Sequence, residues 1–257
     1  MPISQRGSIE GLKIDGFGYP RLTAHTAQMA SAVPQLVEIV VNDATRVSGI
    51  LLRPLQSKAC FVVAHGAGAG MLHPFMVTLA NDLAALRIAT LRYQFPYMEK
   101  HGKRPDAPTL CQSTVRASVV AAHKLVPSLP LIAGGKSFGG RMTSQAQAVS
   151  PLPEVRGLIF LGFPLHPPKQ PSDSRAEHLS QVQIPMLFLQ GTRDEFAEVA
   201  QLNPVVERLG TRATLSLLPS ADHSFHVPAR SGRTDRQTMD EMLSALATWI
   251  DAVVQNR

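Results

Sequence analysis

Leu131-Ile132-Ala133-Gly134-Gly135-Lys136-Ser137-Phe138-Gly139-Gly140 is the stretch on which the fold turns. A short apolar strand runs into a glycine-rich turn, and residues 138 to 149 then follow a helical pattern. Gly135-Lys136-Ser137-Phe138-Gly139 is thus a G-x-S-x-G run in the strand-to-helix context this spacing requires. A serine presented there sits on a turn so sharp that its backbone is strained, and glycines two residues before and after let neighbouring chains approach. The hydroxyl is lifted clear of the sheet edge, and a helix N-terminus is aimed at a reacting carbonyl. Gly-Lys-Ser after a strand also suggests the phosphate loop G-x-x-x-x-G-K-[ST]. Its first glycine would have to be Pro130, which has no N–H for a phosphate, so that alternative is set aside.

Outward from this turn, strand and helix patterns alternate. Ala59 to Ala64 is a continuous apolar run of the kind that fills a sheet buried on both faces, and it ends in His65-Gly66-Ala67-Gly68-Ala69-Gly70. His73 to Arg87 places Met76, Leu79, Ala80, Leu83 and Leu86 at helical spacings, and Ala89 to Tyr93 reads as the next strand. Leu36 to Val41 and Val47 to Leu52 flank the turn Asn42-Asp43 and predict an antiparallel hairpin. Residues 94–108 read as a loop and Ser113 to Val126 as a helix. Downstream, strands are expected over Val155 to Leu161, Pro185 to Gln190 and Ala213 to Leu218, with helices over Phe196 to Leu209 and Arg233 to Val254. Such alternation predicts an α/β fold: a mostly parallel, doubly wound sheet with an antiparallel N-terminal hairpin. The segments between strands are too short for a large lid domain. Residues 1–33 show no sustained period and are expected to form an arm outside a single domain spanning 34–257. In these sheets ligands bind beyond the carboxyl ends of the strands, so function is expected in the strand-to-helix loops.

With 257 residues and 44% hydrophobic residues, the chain is long and apolar enough for one such core, and 17% charged residues argues against disorder. The net charge of +6 is spread out, the densest patch being Lys100, Lys103 and Arg104, and only 5% of residues are aromatic. Nucleic-acid binding is therefore not expected. Cys60 and Cys111 form no CxxC pair, which suits a reducing cytoplasm. No run approaches the roughly 18 apolar residues of a membrane span, and the N-terminus lacks an export pattern, so no membrane partner is expected and the location read is cytoplasmic. His65, His73, His101, His166, His178, His223 and His226 show neither H-E-x-x-H nor a Cys/His cluster, so neither a metal nor a cofactor is expected.

A serine hydroxyl is a weak nucleophile until a base takes its proton. Sharp-turn serines of this kind are followed in the chain by an acid and then a histidine. Asp194 follows the 185–190 strand in Gly191-Thr192-Arg193-Asp194, and His223 follows the 213–218 strand in Ala221-Asp222-His223-Ser224-Phe225. Glu195, His226 and Asp222 are alternatives for these roles. Asp194 is preferred because a short side chain at the first bend after Gly191 points back across the sheet edge. Acyl transfer also needs N–H donors for a developing oxyanion. Phe138, directly after the nucleophile, is one, and Ala67 in the loop after the 59–64 strand is the other, with Gly68 as second choice. A dinucleotide loop there fails on spacing, since the sixth position from Gly66 is Met71 and from Gly68 is His73. His65 reads as a brace for that loop. Substrate contacts are expected from Lys136, Tyr97, His166 and His226, with the 94–108 and 162–178 loops bordering an open pocket.

The stretches Ala64-His65-Gly66-Ala67-Gly68, Gly134 to Arg141, Gly191 to Asp194 and Ala221 to Phe225 together resemble the small, nearly cap-less α/β hydrolases grouped near the dienelactone hydrolases. Arg92-Tyr93-Gln94-Phe95-Pro96-Tyr97-Met98-Glu99 and Gly162 to Pro168 are most similar to a branch of predicted hydrolases that includes a subunit of a chromatin-associated acetyltransferase complex. The resemblance spans most of residues 34–254. It implies an α/β-hydrolase fold and hydrolytic chemistry. Dienelactone hydrolases use a cysteine nucleophile where this chain has Ser137, which points to an esterase or acyl hydrolase instead of their specific reaction. The expected partner is a small-molecule acyl substrate. The contrasting expectation is a catalytically weak or inactive hydrolase fold that binds a partner through the same crevice or its loops.

Overall fold

The structure, a computed structural model, describes residues 32–255. The arm expected over 1–33 lies, except for its last two residues, outside the described residues. The described residues contain eight strands: β1 Gln35–Asn42, β2 Thr45–Leu52, β3 Ala59–Ala64, β4 Ile88–Tyr93, β5 Leu131–Lys136, β6 Val155–Leu161, β7 Met186–Gly191 and β8 Ala213–Leu218. They form one sheet in the order β1-β2-β4-β3-β5-β6-β7-β8. The predicted hairpin pairs β1 with β2, and β2 then pairs antiparallel with β4. From β4 onward every pairing is parallel.

The alternation of side chains along a strand divides the core into two layers. In β3, Cys60, Val62 and Ala64 face one layer, while Ala59, Phe61 and Val63 face the other. Helices α3 (Pro108–Leu125), α4 (Phe138–Val149) and α5 (Val199–Leu209) cover the first layer through residues such as Val115, Met142 and Leu202. Helices α1 (Pro74–Ala85) and α6 (Asp235–Gln255) cover the second through Met76, Leu83, Met242 and Leu246. Because both faces are covered, β3, β4 and β7 are buried at every residue, which is why β3 and most of β7 run apolar without alternating. Each large side chain sealed this way, such as Phe61 or Phe160, contributes roughly 2–3 kcal/mol.

Boundaries moved where local chemistry outweighed pattern. Helix α3 starts at Pro108, five residues before the predicted Ser113, because proline at the first helical position has its φ preset and needs no N–H partner. Part of the predicted 94–108 loop is the short helix α2 (Pro96–Glu99), whose Glu99 carboxylate accepts both the Ser48 N–H at 2.9 Å and the Ser48 hydroxyl at 2.7 Å. Strand β5 runs three residues past Ala133, since Gly134 and Gly135 still pair with β3 and β6. Helix α5 begins at Val199 instead of Phe196, the intervening residues being turned toward Asp194. Helix α6 begins after a reciprocal cap in which Thr234 and Gln237 exchange side-chain and backbone bonds. A 3₁₀ segment over Ser174–Gln181, absent from the sequence expectations, closes the long loop after β6.

Candidate active site

Ser137 stands between β5 and α4 with φ 48° and ψ −113°. A non-glycine residue held there costs on the order of 1–3 kcal/mol, and the surroundings over-determine it. A Cβ at Gly135 would lie 2.4 Å from the Ala64 carbonyl oxygen, and one at Gly139 2.5 Å from the His65 carbonyl oxygen, so only glycine admits β3 this close to the turn. The Ser137 N–H donates to Leu161 O at 3.1 Å, which ties the turn to the end of β6.

The structure brings Ser137, His223 and Asp194 together from the ends of β5, β8 and β7. His223 Nε2 lies 2.8 Å from Ser137 Oγ, and His223 Nδ1 lies 2.7 Å from Asp194 Oδ2. Asp194 is buried, with Oδ1 accepting the Phe196 N–H at 2.8 Å and Oδ2 accepting Gln190 Nε2–H at 2.6 Å. A carboxylate held as an acceptor on the Nδ1 side places the imidazole proton there and leaves Nε2 to accept from the serine. Phe196 covers the His223 ring with centroids 4.3 Å apart. The alternatives are otherwise occupied: Glu195 is exposed, and Asp222 Oδ1 accepts the Ser224 and His226 N–H groups, closing the turn that carries His223.

Among the described residues, the N–H groups of the two expected oxyanion donors are unengaged. Phe138 is the first residue of α4 and has no carbonyl within its helix to donate to. The Ala67 N–H makes no hydrogen bond among the described residues, whereas the Gly68 N–H donates to the Tyr97 hydroxyl at 2.9 Å. Ala67 therefore fits the donor role better than Gly68. His65 anchors this loop. Burial holds its imidazole down at about 4, against the opposing pull of the Gly66 carbonyl. The neutral ring donates from Nδ1 to Gly66 O at 2.7 Å and accepts the Phe95 N–H at Nε2 at 3.2 Å.

The four residues singled out as substrate contacts are each tied to protein groups. Lys136 Nζ donates to the His223 carbonyl at 2.5 Å, and the Tyr97 hydroxyl is taken by Gly68. His166 is buried, with Nδ1 2.8 Å from Pro167 O. His226 is exposed and pairs with Asp235 at 2.9 Å, an interaction that holds the His223 loop to the start of α6. Gln190 and Phe196 were not anticipated from sequence. A lone glutamine near the end of the otherwise apolar β7 was the available signal for Gln190. Nothing local marked Phe196. Among the described residues, no three or more His, Cys, Asp or Glu side chains are grouped to hold a metal ion, and no helix is long and apolar enough to cross a membrane.

Strand order, parallel pairing from β4 onward and a strained serine on the turn after the fifth strand make this an α/β-hydrolase fold without a large lid. The chain belongs to the family described as alpha/beta hydrolase domain, which matches residues 57–251. Among solved structures it is similar to a dienelactone hydrolase from Anabaena variabilis, at 20% identity over 86% of this chain and 98% of that one, with a TM-score of 0.69. A serine hydrolase without lid from Xanthomonas campestris matches at 20% identity over 84% and 94% of the two chains, with a TM-score of 0.66. The protein Est1E from Butyrivibrio proteoclasticus matches at 16% identity over 82% and 99%, with a TM-score of 0.61.

Proposed function

We propose that this chain is a serine hydrolase that cleaves a carboxylic ester, thioester or related acyl bond through an acyl-Ser137 intermediate. The observation that carries this is the continuous relay from Ser137 Oγ through His223 to the buried Asp194, with contacts of 2.8 and 2.7 Å. His223 Nε2 takes the hydroxyl proton as Oγ adds to the acyl carbon, and the Phe138 and Ala67 N–H groups receive the oxyanion. Collapse breaks the bond to the leaving group, which takes the proton from Nε2. Water then adds to the acyl carbon under the same base, and the acid departs as Ser137 regains its proton. Asp194 holds the imidazole in the tautomer this sequence needs and stabilises it while it is charged. The serine hydrolase among the similar structures shares the fold and fits this assignment.

The test is labelling with a fluorophosphonate probe together with turnover of p-nitrophenyl esters of graded acyl length. Labelling that disappears in Ser137→Ala, with turnover reduced at least 10³-fold, is expected. Absence of labelling, with Ser137→Ala matching the parent on every ester, would overturn the assignment and favour a binding role for the crevice.

A further inference from the structure

We propose that Lys136, the residue between Gly135 and the nucleophile, is a positioning residue: its ammonium ties the His223 loop to the strand that carries Ser137. The proposal rests on the hydrolase reading of the Ser137 site given above.

The geometry is specific. Lys136 ends β5, and its stem passes Gly66, where a Cβ would stand 3.6 Å from Lys136 Cγ. Its Nζ then reaches under the His223 loop and donates to the His223 carbonyl at 2.5 Å. A single point, the Cβ position of Gly162 at the end of β6, lies 3.2 Å from Lys136 Nζ, 3.4 Å from His223 Nδ1 and 3.5 Å from Asp194 Oδ2. The ammonium, His223 Nδ1 and Asp194 Oδ2 thus all border the same small space beside Gly162. Phe225 closes the enclosure, with Nζ 5.1 Å from its ring centroid and its own backbone in the left-handed region at φ 65°. The His223 loop is a tight turn bonded mainly to itself, through Phe225 N–H to Asp222 O and Asp222 N–H to His226 O. The bond from Lys136 is what couples that turn directly to the nucleophile strand, so the two reacting partners, Ser137 Oγ and His223 Nε2, share one support.

The titratable groups facing Nζ are Asp194 on the loop after β7, and Asp222 with His223 on the loop after β8; the loops after β3 and β6 meet it with Gly66 and Gly162. Burial presses the ammonium down to about 8, against the pull of Asp194 and Asp222. Enclosing this charge costs more than its two neighbours return. Since its folded value lies below the unfolded one, the ammonium detracts from stability below pH 8, and that penalty fades as pH rises through 8 toward the unfolded value.

The test compares the parent with Lys136→Met, which keeps length without charge, and Lys136→Gln, which keeps a donor without the titration. Three quantities are read: ester kinetics from pH 6 to 10, the rate of fluorophosphonate labelling, and thermal unfolding at pH 7. For Lys136→Met the expected result is a kcat lower by about 10- to 100-fold, with KM within about threefold, because a misplaced base costs turnover and not affinity. Labelling slows in proportion, the melting temperature is unchanged or higher, and the parent's decline above about pH 8 is absent. Lys136→Gln recovers part of kcat and also lacks the alkaline decline. A raised KM at normal kcat would make Lys136 a substrate contact and overturn the proposal. Loss of melting temperature in step with kcat in both variants, or parent-like kinetics and pH profile in both, would overturn it equally. Failure of the parent itself to label would instead remove the hydrolase reading, and the melting comparison alone would still decide whether the buried ammonium is a cost to folding.

Discussion

The Tyr97 hydroxyl accepts the Gly68 N–H at 2.9 Å, across a gap of twenty-nine residues. This bond fixes the peptide that joins Ala67 to Gly68, and the Ala67 N–H makes no hydrogen bond among the described residues. Tyr97→Phe strands a loop amide and loosens that free donor. An unpaired donor of this kind costs about 1–3 kcal/mol, so kcat/KM on a p-nitrophenyl ester is expected to fall about tenfold, with the labelling site unchanged. Parent-like kinetics in Tyr97→Phe would show that the Ala67 donor is held by the glycine loop alone.

Asp194 accepts three hydrogen bonds, from Gln190, Phe196 and His223. Asp194→Asn keeps the shape but presents an amide where His223 Nδ1 must donate, favouring the wrong tautomer. A loss of roughly 10³-fold or more in kcat is expected at neutral pH, with little change in the circular dichroism spectrum. Residual activity within tenfold of the parent would shift the acid role to another group.

One buried and one partly buried imidazole, His65 and His178, make folding sensitive to acid. Burial lowers His65 to about 4, and burial reinforced by the nearby Arg141 guanidinium lowers His178 to about 4. Their folded values lie below the ordinary 6.5, so between 6.5 and 4 the unfolded chain binds more protons and stability falls as pH falls. Each ring contributes up to about 3 kcal/mol across that window. Thermal melts from pH 7 to 4 should show a steep drop, shallower in His178→Gln, which keeps a partner for Ser144 Oγ, now 2.8 Å from His178 Nε2. A flat melting profile would mean that both rings protonate in place.

Gly157 on β6 lies against the single tryptophan: a Cβ there would stand 2.5 Å from the Trp249 ring. Gly157→Ala therefore pushes Trp249 of α6 off the sheet, at a cost of about 1–3 kcal/mol. Fluorescence emission at longer wavelength and a lower melting temperature are expected together, and an unshifted spectrum would show that the ring re-seats without strain.

Much of this molecule was legible in the order of its residues. The apolar runs of β3 and β7 announced a sheet covered on both faces, since only burial on both sides removes the need for alternation. Gly135 and Gly139 around Ser137 announced the strained turn, because the chemistry of that turn is local: two missing Cβ atoms and a helix start. The order Ser137, Asp194, His223 followed from strand-end placement. What sequence left open was decided by distance across the sheet. Glu195 and Asp222 were chemically as able as Asp194, and only packing buries one carboxylate behind His223 while leaving Glu195 in solvent and using Asp222 to close a turn. Gln190 and Phe196 gained their places through contacts that have no local pattern to betray them. Lys136 changed most. As a residue in a string it is a cation beside a nucleophile, open to any anionic substrate; folded, its ammonium turns inward to the His223 carbonyl, because the ends of β5, β6, β7 and β8 converge on one point that no stretch of sequence contains.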